Sequence, residues 1–400
     1  MRRVIEPRSS LAAGAGAWIR TGTPLVLFVA LGLPAGALGV AWPQMRASLG
    51  APLAGLGLLL AALTVAYFVA SAGSGALGAR LGTATLLASG CGLAACGVLG
   101  LGLATAWWMV PAVTLLLGGG SGLIDAAANA HTSLNRGVRF MGWLHASWAA
   151  GAALGPLVVV TAMGMTGSWR ASFIVMAVAF LAVGFLVSYR RHDWIGKALD
   201  PHQAPEAATE QGSGRRRALV LLIGLFVLGA GLEATAGDWC YTQLTAGRSL
   251  PASLAGLGAT LFWAGLAGGR VAMGLFANRI APDRLLDISI ALSAVGAVAF
   301  WLAPPLASAV IALPMLGAAV SVIFPLLLSI TPARVGSAMT SHAVGYELAA
   351  GTLGGGGLPA LTGLVLQSAG LLTLGPLLTV FAAGLLVLHL VSRLTPSRVA

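Results

Sequence analysis

The sequence predicts an all-α integral membrane protein of twelve transmembrane helices in two six-helix bundles around a central cavity. Three observations predict it: the composition, a recurring apolar run of spanning length, and the alternation of basic residues between those runs. Of 400 residues 58% are hydrophobic and only 8% charged, against about 25% charged in an ordinary soluble domain. Such a chain cannot cover a water-facing surface. Apolar runs of about 20 residues, the length that crosses a hydrocarbon core of roughly 30 Å, recur throughout. In lipid every backbone N–H and C=O must be paired within its segment, so the runs are read as helices rather than open strands.

Taken in order, each run is bounded by charge or by turn residues. Thr21–Trp42 follows Arg2, Arg3, Arg8 and Arg20. Ala51–Gly73 ends ahead of Arg80, and Thr83–Ala104 and Trp107–Ala130 lead to Arg136 and Arg139. Met141–Met163 and Trp169–Ser188 are followed by Arg190, Arg191, Lys197, Arg215, Arg216 and Arg217. The second half repeats the scheme with Ala218–Tyr241, Leu254–Ala277 before Arg279 and Arg284, Leu285–Leu302, Ala307–Ile330 before Arg334, Ser341–Leu364, and Leu371–Val391 before Arg393 and Arg398. The opposite-side loops hold only Arg46, Arg170 and Arg248. By the positive-inside rule both termini are cytoplasmic, in a multi-pass protein of the cell's inner membrane. The formal net charge of +11 is then a topology signal and not a nucleic-acid patch. The first run is itself long enough to span and carries no small-residue cleavage site, so no removable leader is expected.

The stretch Arg190–Arg217, with His192, Asp193, Lys197, Asp200, Pro201, Pro205, Glu206, Glu210 and Gly212, breaks the apolar pattern and reads as a linker. The expected organisation is a cytosolic tail 1–20, a bundle 21–188, a cytosolic linker 189–217, a second bundle 218–393 and a tail 394–400. The halves echo each other. Gly75, Leu77, Arg80 and Gly82 after the second span answer Gly274, Phe276, Asn278 and Arg279 after the eighth; Gly151, Gly155 and Pro156 in the fifth answer Gly351, Gly354 to Gly357 and Pro359 in the eleventh. Internal repeats of this kind build midplane sites between two bundles.

The segment Gly75-Ala76-Leu77-Gly78-Ala79-Arg80-Leu81-Gly82 resembles the Gly-x-Leu-x-Asp-Arg-x-Gly signature of the major facilitator superfamily, with Ala79 in place of the acid. The resemblance implies a cytoplasmic gate loop at Gly75, Arg80 and Gly82, with a weaker second copy at Arg279. Within that superfamily the fourth span resembles fucose-permease-related proton symporters, which carry an acid followed four residues later by asparagine, as Asp125 and Asn129 do. Gly231-Leu232-Glu233 to Gly237-Asp238-Trp239 and Trp263-Ala264-Gly265-Leu266 to Gly269-Arg270 are similar to the same branch. That branch has a second acid four residues before a proline of the first helix, where this chain has Gly39 before Pro43.

An ionisable residue inside a span faces the bundle interior or water, because facing lipid costs at least about 2.5–3.5 kcal/mol. Asp125 is the clearest case, roughly 9 Å to the cytosolic side of mid-span at about 1.5 Å per residue. Arg270 and His145 fall near the same depth, which suggests an Asp125–Arg270 pair; the competing reading is an arginine snorkelling to the interface. Glu233 and Glu347 are alternative partners for Arg270 and, with Asp125, the expected proton-coupling acids. A carboxylate that gains and loses a cationic partner changes its proton affinity. Asp238 reads as a solvated interface residue, and His131 as a residue at the cytosolic interface. His145 is a candidate site residue, His342 a weaker one.

Among the aromatics, Trp148, Trp239, Trp263 and Tyr346, with Trp143 and Tyr241, are expected beside the cavity, where flat faces suit ring-shaped ligands. Trp42, Trp107, Trp108 and Trp169 fit interface anchoring better. Cys91, Cys96 and Cys240 lack disulfide or metal-ligand spacing. The glycines serve close helix packing, and Pro156, Pro314, Pro325 and Pro359 are candidate kinks. With neither a phosphate-loop nor a His-Glu-x-x-His motif, ATP-driven transport and metalloproteolysis have no support; no cofactor or metal is expected. The leading expectation is a monomeric, non-enzymatic, proton-coupled importer of a small polar solute such as a sugar. The alternatives are a proton-driven antiporter exporting drugs or metabolites, to which Gly151-Ala152-Ala153-Leu154-Gly155-Pro156 points, and a membrane receptor that does not transport.

Overall fold

The computed structural model describes residues 10–135, 137–195, 213–276, 279–336 and 340–394. Arg2, Arg3, Arg8, Arg136, Lys197, Asn278 and Arg398, with most of the expected linker, lie outside them, as do the side chains of Arg20, Arg139, Arg215 and His342. The helices are α1 Ser10–Leu49, α2 Gly55–Leu81, α3 Thr83–Leu103, α4 Met109–Asn135, α5 Gly137–Thr166, α6 Arg170–Tyr189, α7 Ser213–Thr242, α8 Ala252–Phe276 and α9 Pro282–Leu302. They are followed by α10, a broken span over Pro305–Val335, then α11 Thr340–Ala369 and α12 Leu374–Leu394. Each of the twelve matches one apolar run, and all are long and apolar enough to cross a membrane.

The spans are turned inside out relative to a soluble bundle. On α6 the large residues Val175, Val178, Leu181 and Phe185 recur every three or four positions and are exposed, forming one lipid-facing stripe. The opposite face buries Phe173, Met176, Phe180 and Val187. Lipid tails give no hydrophobic incentive for helices to associate, so packing depends on close backbone approach at small residues. The same pairings form twice. On the α1–α5 seam a Cβ at Gly32, Gly36, Gly151 or Gly155 would collide with the carbonyl of Trp148, Ala152, Val29 or Leu33 respectively; α7 and α11 meet likewise at Gly354 and Val227. Gly118 and Gly122 of α4 lie on the Leu63 and Tyr67 carbonyls of α2, as Gly265 and Gly317 do between α8 and α10.

The three arginines expected on the face opposite the termini are not loose surface charges. Arg170 donates to the Gly102 and Ala104 carbonyls at the end of α3. Arg248 donates to the Phe300, Trp301 and Ala303 carbonyls at the end of α9 and to Ser308 Oγ at the start of α10. Each satisfies carbonyls that a helix C-terminus leaves without donors. Arg46 Nε is buried and has no hydrogen-bond partner among the described residues. On the terminus-bearing face Asp283 and Asp287 of α9 meet Arg334 of α10 (3.0 Å) and Arg393 (3.7 and 3.5 Å) and His389 (2.6 Å) of α12, tying three helix ends together.

Several expectations about orientation are corrected. Trp42 and Trp169 are buried, with their indole N–H groups on the Leu53 carbonyl (3.1 Å) and Ser48 Oγ (3.1 Å); only Trp108 is strongly exposed in the manner of an anchor. His131, whose expected place at the interface is not altered by this, lies near the end of α4 and is buried against Trp194, with ring centroids 5.1 Å apart. Their indoles and imidazole pack inward because neighbouring helix ends supply acceptors and ring contacts there.

The glycine seams give a paired test. Gly36→Leu should lower the apparent unfolding temperature by several degrees or abolish recovery of monodisperse protein, since overpacking against backbone cannot relax. Gly73→Leu, with no neighbour within 4 Å, should behave like wild type. Thermal unfolding of both in detergent checks this, and equal behaviour would contradict the seam.

Candidate functional site

A cavity of about 1260 Å³ lies between the bundles. Its walls come from α1, α2, α4 and α5 on one side and α7, α8, α10 and α11 on the other; α3, α6, α9 and α12 stand outside. The lining runs from mid-depth toward the terminus-bearing face, from Leu31 to Leu38 on α1, Met141 to Trp148 on α5 and Gly345 to Gly356 on α11. Beyond it the bundles seal. Gly39 of α1 abuts the Asp238 backbone of α7, Gly57 of α2 abuts Ala360 of α11, and Gly256 of α8 abuts Val160 of α5. The Ala54 N–H donates to Gln367 Oε1 at 2.9 Å across the same seam.

Two polar clusters break a largely apolar wall. In the first bundle Tyr67 of α2 donates to Asp125 Oδ2 at 2.6 Å, and Asn129, one turn along α4, donates from Nδ2 to Oδ1 at 3.0 Å. The Gly122 contact brings α2 close enough for this, and Ser71 Oγ donates to the Gly122 carbonyl at 3.1 Å. Among the described residues no cation reaches Asp125 within ion-pair distance. The carboxylate is half-buried and lines the cavity.

In the second bundle Arg270 of α8 pairs with Glu233 of α7, N–O 3.8 Å, both side chains largely buried. The expected Asp125–Arg270 pair is therefore replaced by Glu233–Arg270, and the arginine faces the cavity rather than snorkelling. The guanidinium also lies 5.7 Å from the Trp148 ring centroid, across the bundle boundary. Its Nε donates to the Ser321 carbonyl at 3.4 Å. That carbonyl is available for a covalent reason: the residue four positions on is Pro325, which has no N–H to give it, and α10 breaks between Val320 and Ile323.

The remaining candidates divide. His145 lines the cavity with its ring edge-on to Phe28 at 5.9 Å. Trp148, Asn129 and Asp238 line it too. Asp238 is buried rather than solvated, because the seal at Gly39 closes over the outer end of α7. Glu347 is fully buried away from the cavity and takes the Thr331 hydroxyl at 2.8 and 3.0 Å. Trp239 is buried with its N–H on the Pro359 carbonyl at 3.0 Å. Trp263 stands behind Trp148, centroids 5.8 Å apart, its N–H without a partner among the described residues. Tyr346 and Trp143 are more than half exposed and do not line the cavity; Tyr241 is buried. In the expected gate loop Gly75 and Arg80 are exposed, and Gly82 joins α2 to α3 with φ +80°, a conformation that excludes side chains. Arg279 is exposed in the α8–α9 turn.

Tyr67 was missed by sequence reasoning. Its one available signal was a phenol in the apolar second span, at the depth of Asp125.

The three uses made of Arg270 predict that lysine cannot replace it. An ammonium has neither the planar face for Trp148 nor a separate Nε donor. Arg270→Ala and Arg270→Lys should each lower solute flux in proteoliposomes at least about ten-fold, the equivalent of one charge-assisted hydrogen bond, without loss of folded protein; full flux in the lysine variant would contradict this.

The arrangement is similar to solved transporters. Nucleoside transporter NupG superposes with a TM-score of 0.74 at 15% identity, over 94% of this chain and 99% of that one. The E. coli fucose:proton symporter FucP gives a TM-score of 0.61 at 16% identity, over 94% and 98%. No curated protein matches the sequence. The family model described as the Major Facilitator Superfamily matches residues 25–356. With that match over most of its length and twelve helices paired in two like bundles, the chain belongs to the Major Facilitator Superfamily and is a membrane transporter, not an enzyme.

Proposed function

We propose that the protein is a proton-coupled secondary transporter that moves a small, polar, sugar-like solute by alternating access, with Asp125 as proton carrier. The observation that carries this is a half-buried carboxylate open to the cavity and held, among the described residues, only by neutral donors, Tyr67 and Asn129. At membrane depth a charge without a counter-ion is costly, and taking up a proton removes it. Glu233 has its own cation, so Arg270 is already engaged. The similarity to a nucleoside transporter and a fucose:proton symporter supports a solute of this size and polarity. Trp148 offers a ring face at the level of the polar clusters.

In this reading the positive-inside rule puts both termini and the 189–217 linker in the cytosol, so the cavity is open inward. Tails 1–20 and 394–400 are cytosolic, the Gly75–Gly82 loop and Arg279 act as the cytoplasmic gate, and the protein works as a monomer in the inner membrane. A second reading, proton-driven export of drugs or metabolites, draws on the apolar wall of Leu31, Leu38, Leu60, Leu63 and Phe68. A broad solute screen in proteoliposomes under an imposed pH gradient separates the two: solute moving with protons indicates import, solute moving against them export.

Asp125→Asn keeps size and much of the hydrogen bonding but cannot titrate. It should retain counterflow exchange of solute while losing accumulation driven by a pH gradient. Undiminished accumulation by this variant would remove Asp125 as carrier and move the role to Glu233 or Asp238.

A further inference from the structure

Resting on the reading of Asp125 as proton carrier, we infer that Tyr67 is a hydrogen-bond donor to the cavity that is switched on by protonation of Asp125. An ionised carboxylate can only accept, so at 2.6 Å the Tyr67 hydroxyl must give its hydrogen to Oδ2. In that state the phenol offers the cavity no donor. When a proton from the cavity arrives on Oδ2, the new carboxylic O–H needs an acceptor, and the nearest is the Tyr67 oxygen. The bond reverses: Asp125 donates, Tyr67 accepts, and the phenol keeps its own proton but must direct it elsewhere. Only a hydroxyl torsion changes.

Asn129 is the competing acceptor, and geometry disfavours it. Its Nδ2 already donates to Oδ1, and an amide can only accept through Oδ1, which is buried without a partner. Turning the amide would bring its Oδ1 to Asp125 but swing the Nδ2 donors off the carboxylate into the buried position that Oδ1 now holds without a partner among the described residues, and a buried N–H left unpaired costs about 1–3 kcal/mol. Reversal of the Tyr67 bond carries no such cost, because Tyr67 lines the cavity. Ser71 Oγ, one turn along α2 and donating to the Gly122 carbonyl, is a resting acceptor for the freed phenolic hydrogen until a solute oxygen takes its place.

The other charged or titratable groups around Asp125 do not compete for this proton by contact. From α5 the cavity receives His145, from α7 Glu233 and Asp238, and from α8 Arg270. The spans of α1 and α3 contribute only Arg46, Cys91 and Cys96 as ionisable groups. Solute and proton binding are then linked through one hydroxyl: a solute bearing a hydroxyl, ether or carbonyl acceptor finds its donor only after Asp125 is protonated.

Infrared difference spectroscopy during a pH titration of the reconstituted protein tests the switch. The chain has four tyrosines, so the signal is assignable with Tyr67→Phe, and Asp125→Asn identifies the carboxyl band. The expected result is a tyrosine C–O band that moves with the same midpoint as the Asp125 carboxyl band; the tyrosine change is absent in Tyr67→Phe, and both changes are absent in Asp125→Asn. A carboxyl band that titrates with no tyrosine change overturns the inference while leaving Asp125 as carrier. A carboxyl that never titrates overturns both. With fucose and uridine as probes, wild-type affinity should rise about ten-fold from alkaline to acid pH, one hydrogen bond's worth, and Tyr67→Phe should remove the rise. An equal rise in Tyr67→Phe, or none in wild type for either probe, overturns the link to solute.

Discussion

Among the described residues one arginine faces three acids in a cavity at membrane depth, and the chemistry of the site follows from that imbalance. Asp125, Glu233 and Asp238 line the cavity with Arg270. A guanidinium is never deprotonated under these conditions, so it fully compensates one carboxylate, and geometry assigns it to Glu233. The other two acids must take up protons, meet a cation, or stay ionised with hydrogen bonds and water to solvate them. Hydrogen bonds from Tyr67 and Asn129 stabilise an ionised Asp125 without cancelling its charge. In the proposed function Asp125 is therefore the group whose protonation changes during a cycle, and Glu233–Arg270 the pair that stays together.

The scaffold that holds this imbalance in place is built from absence of side chains. Glycines let α1 and α5, α2 and α4, α8 and α10, and α7 and α11 approach to backbone contact, which puts Tyr67 against Asp125 and α8 against the break in α10. Pro325 then frees the one carbonyl that receives Arg270 Nε. A methyl group at Gly122 would press on the Tyr67 carbonyl itself, so the seam and the site are one feature. The seal at Gly39, Gly57 and Gly256 is made of similar contacts between bundles, small enough to be parted without breaking ion pairs.

Depth along each helix was legible in the sequence, whereas rotation about the helix axis was not. Hydropathy located all twelve spans, and counting at 1.5 Å per residue put Asp125, Arg270 and His145 at one level, where the cavity does contain them. Which way a residue points is normally read from the contrast between an apolar and a polar face, and here almost every face is apolar. Glu347, Trp239, Trp263 and Tyr346 were accordingly placed beside the cavity, yet they turn into the bundle or outward. Partner choice failed for the same reason: Asp125 was the expected partner of Arg270, with Glu233 and Glu347 as alternatives, because nothing in the sequence gave the orientation of α7 that brings Glu233 to the guanidinium. Asp238 was misread because burial at the seal depends on the other bundle, which one helix's sequence cannot report.

The central claim is that charge enters the cavity as a proton on Asp125. Electrical recording of liposomes adsorbed to a solid-supported membrane measures this directly, because a neutral solute moves charge only if an ion moves with it. The account predicts a solute-evoked charge displacement in wild type that reverses with the pH gradient and vanishes in Asp125→Asn although exchange of the solute continues. A displacement of undiminished size in that variant would contradict it.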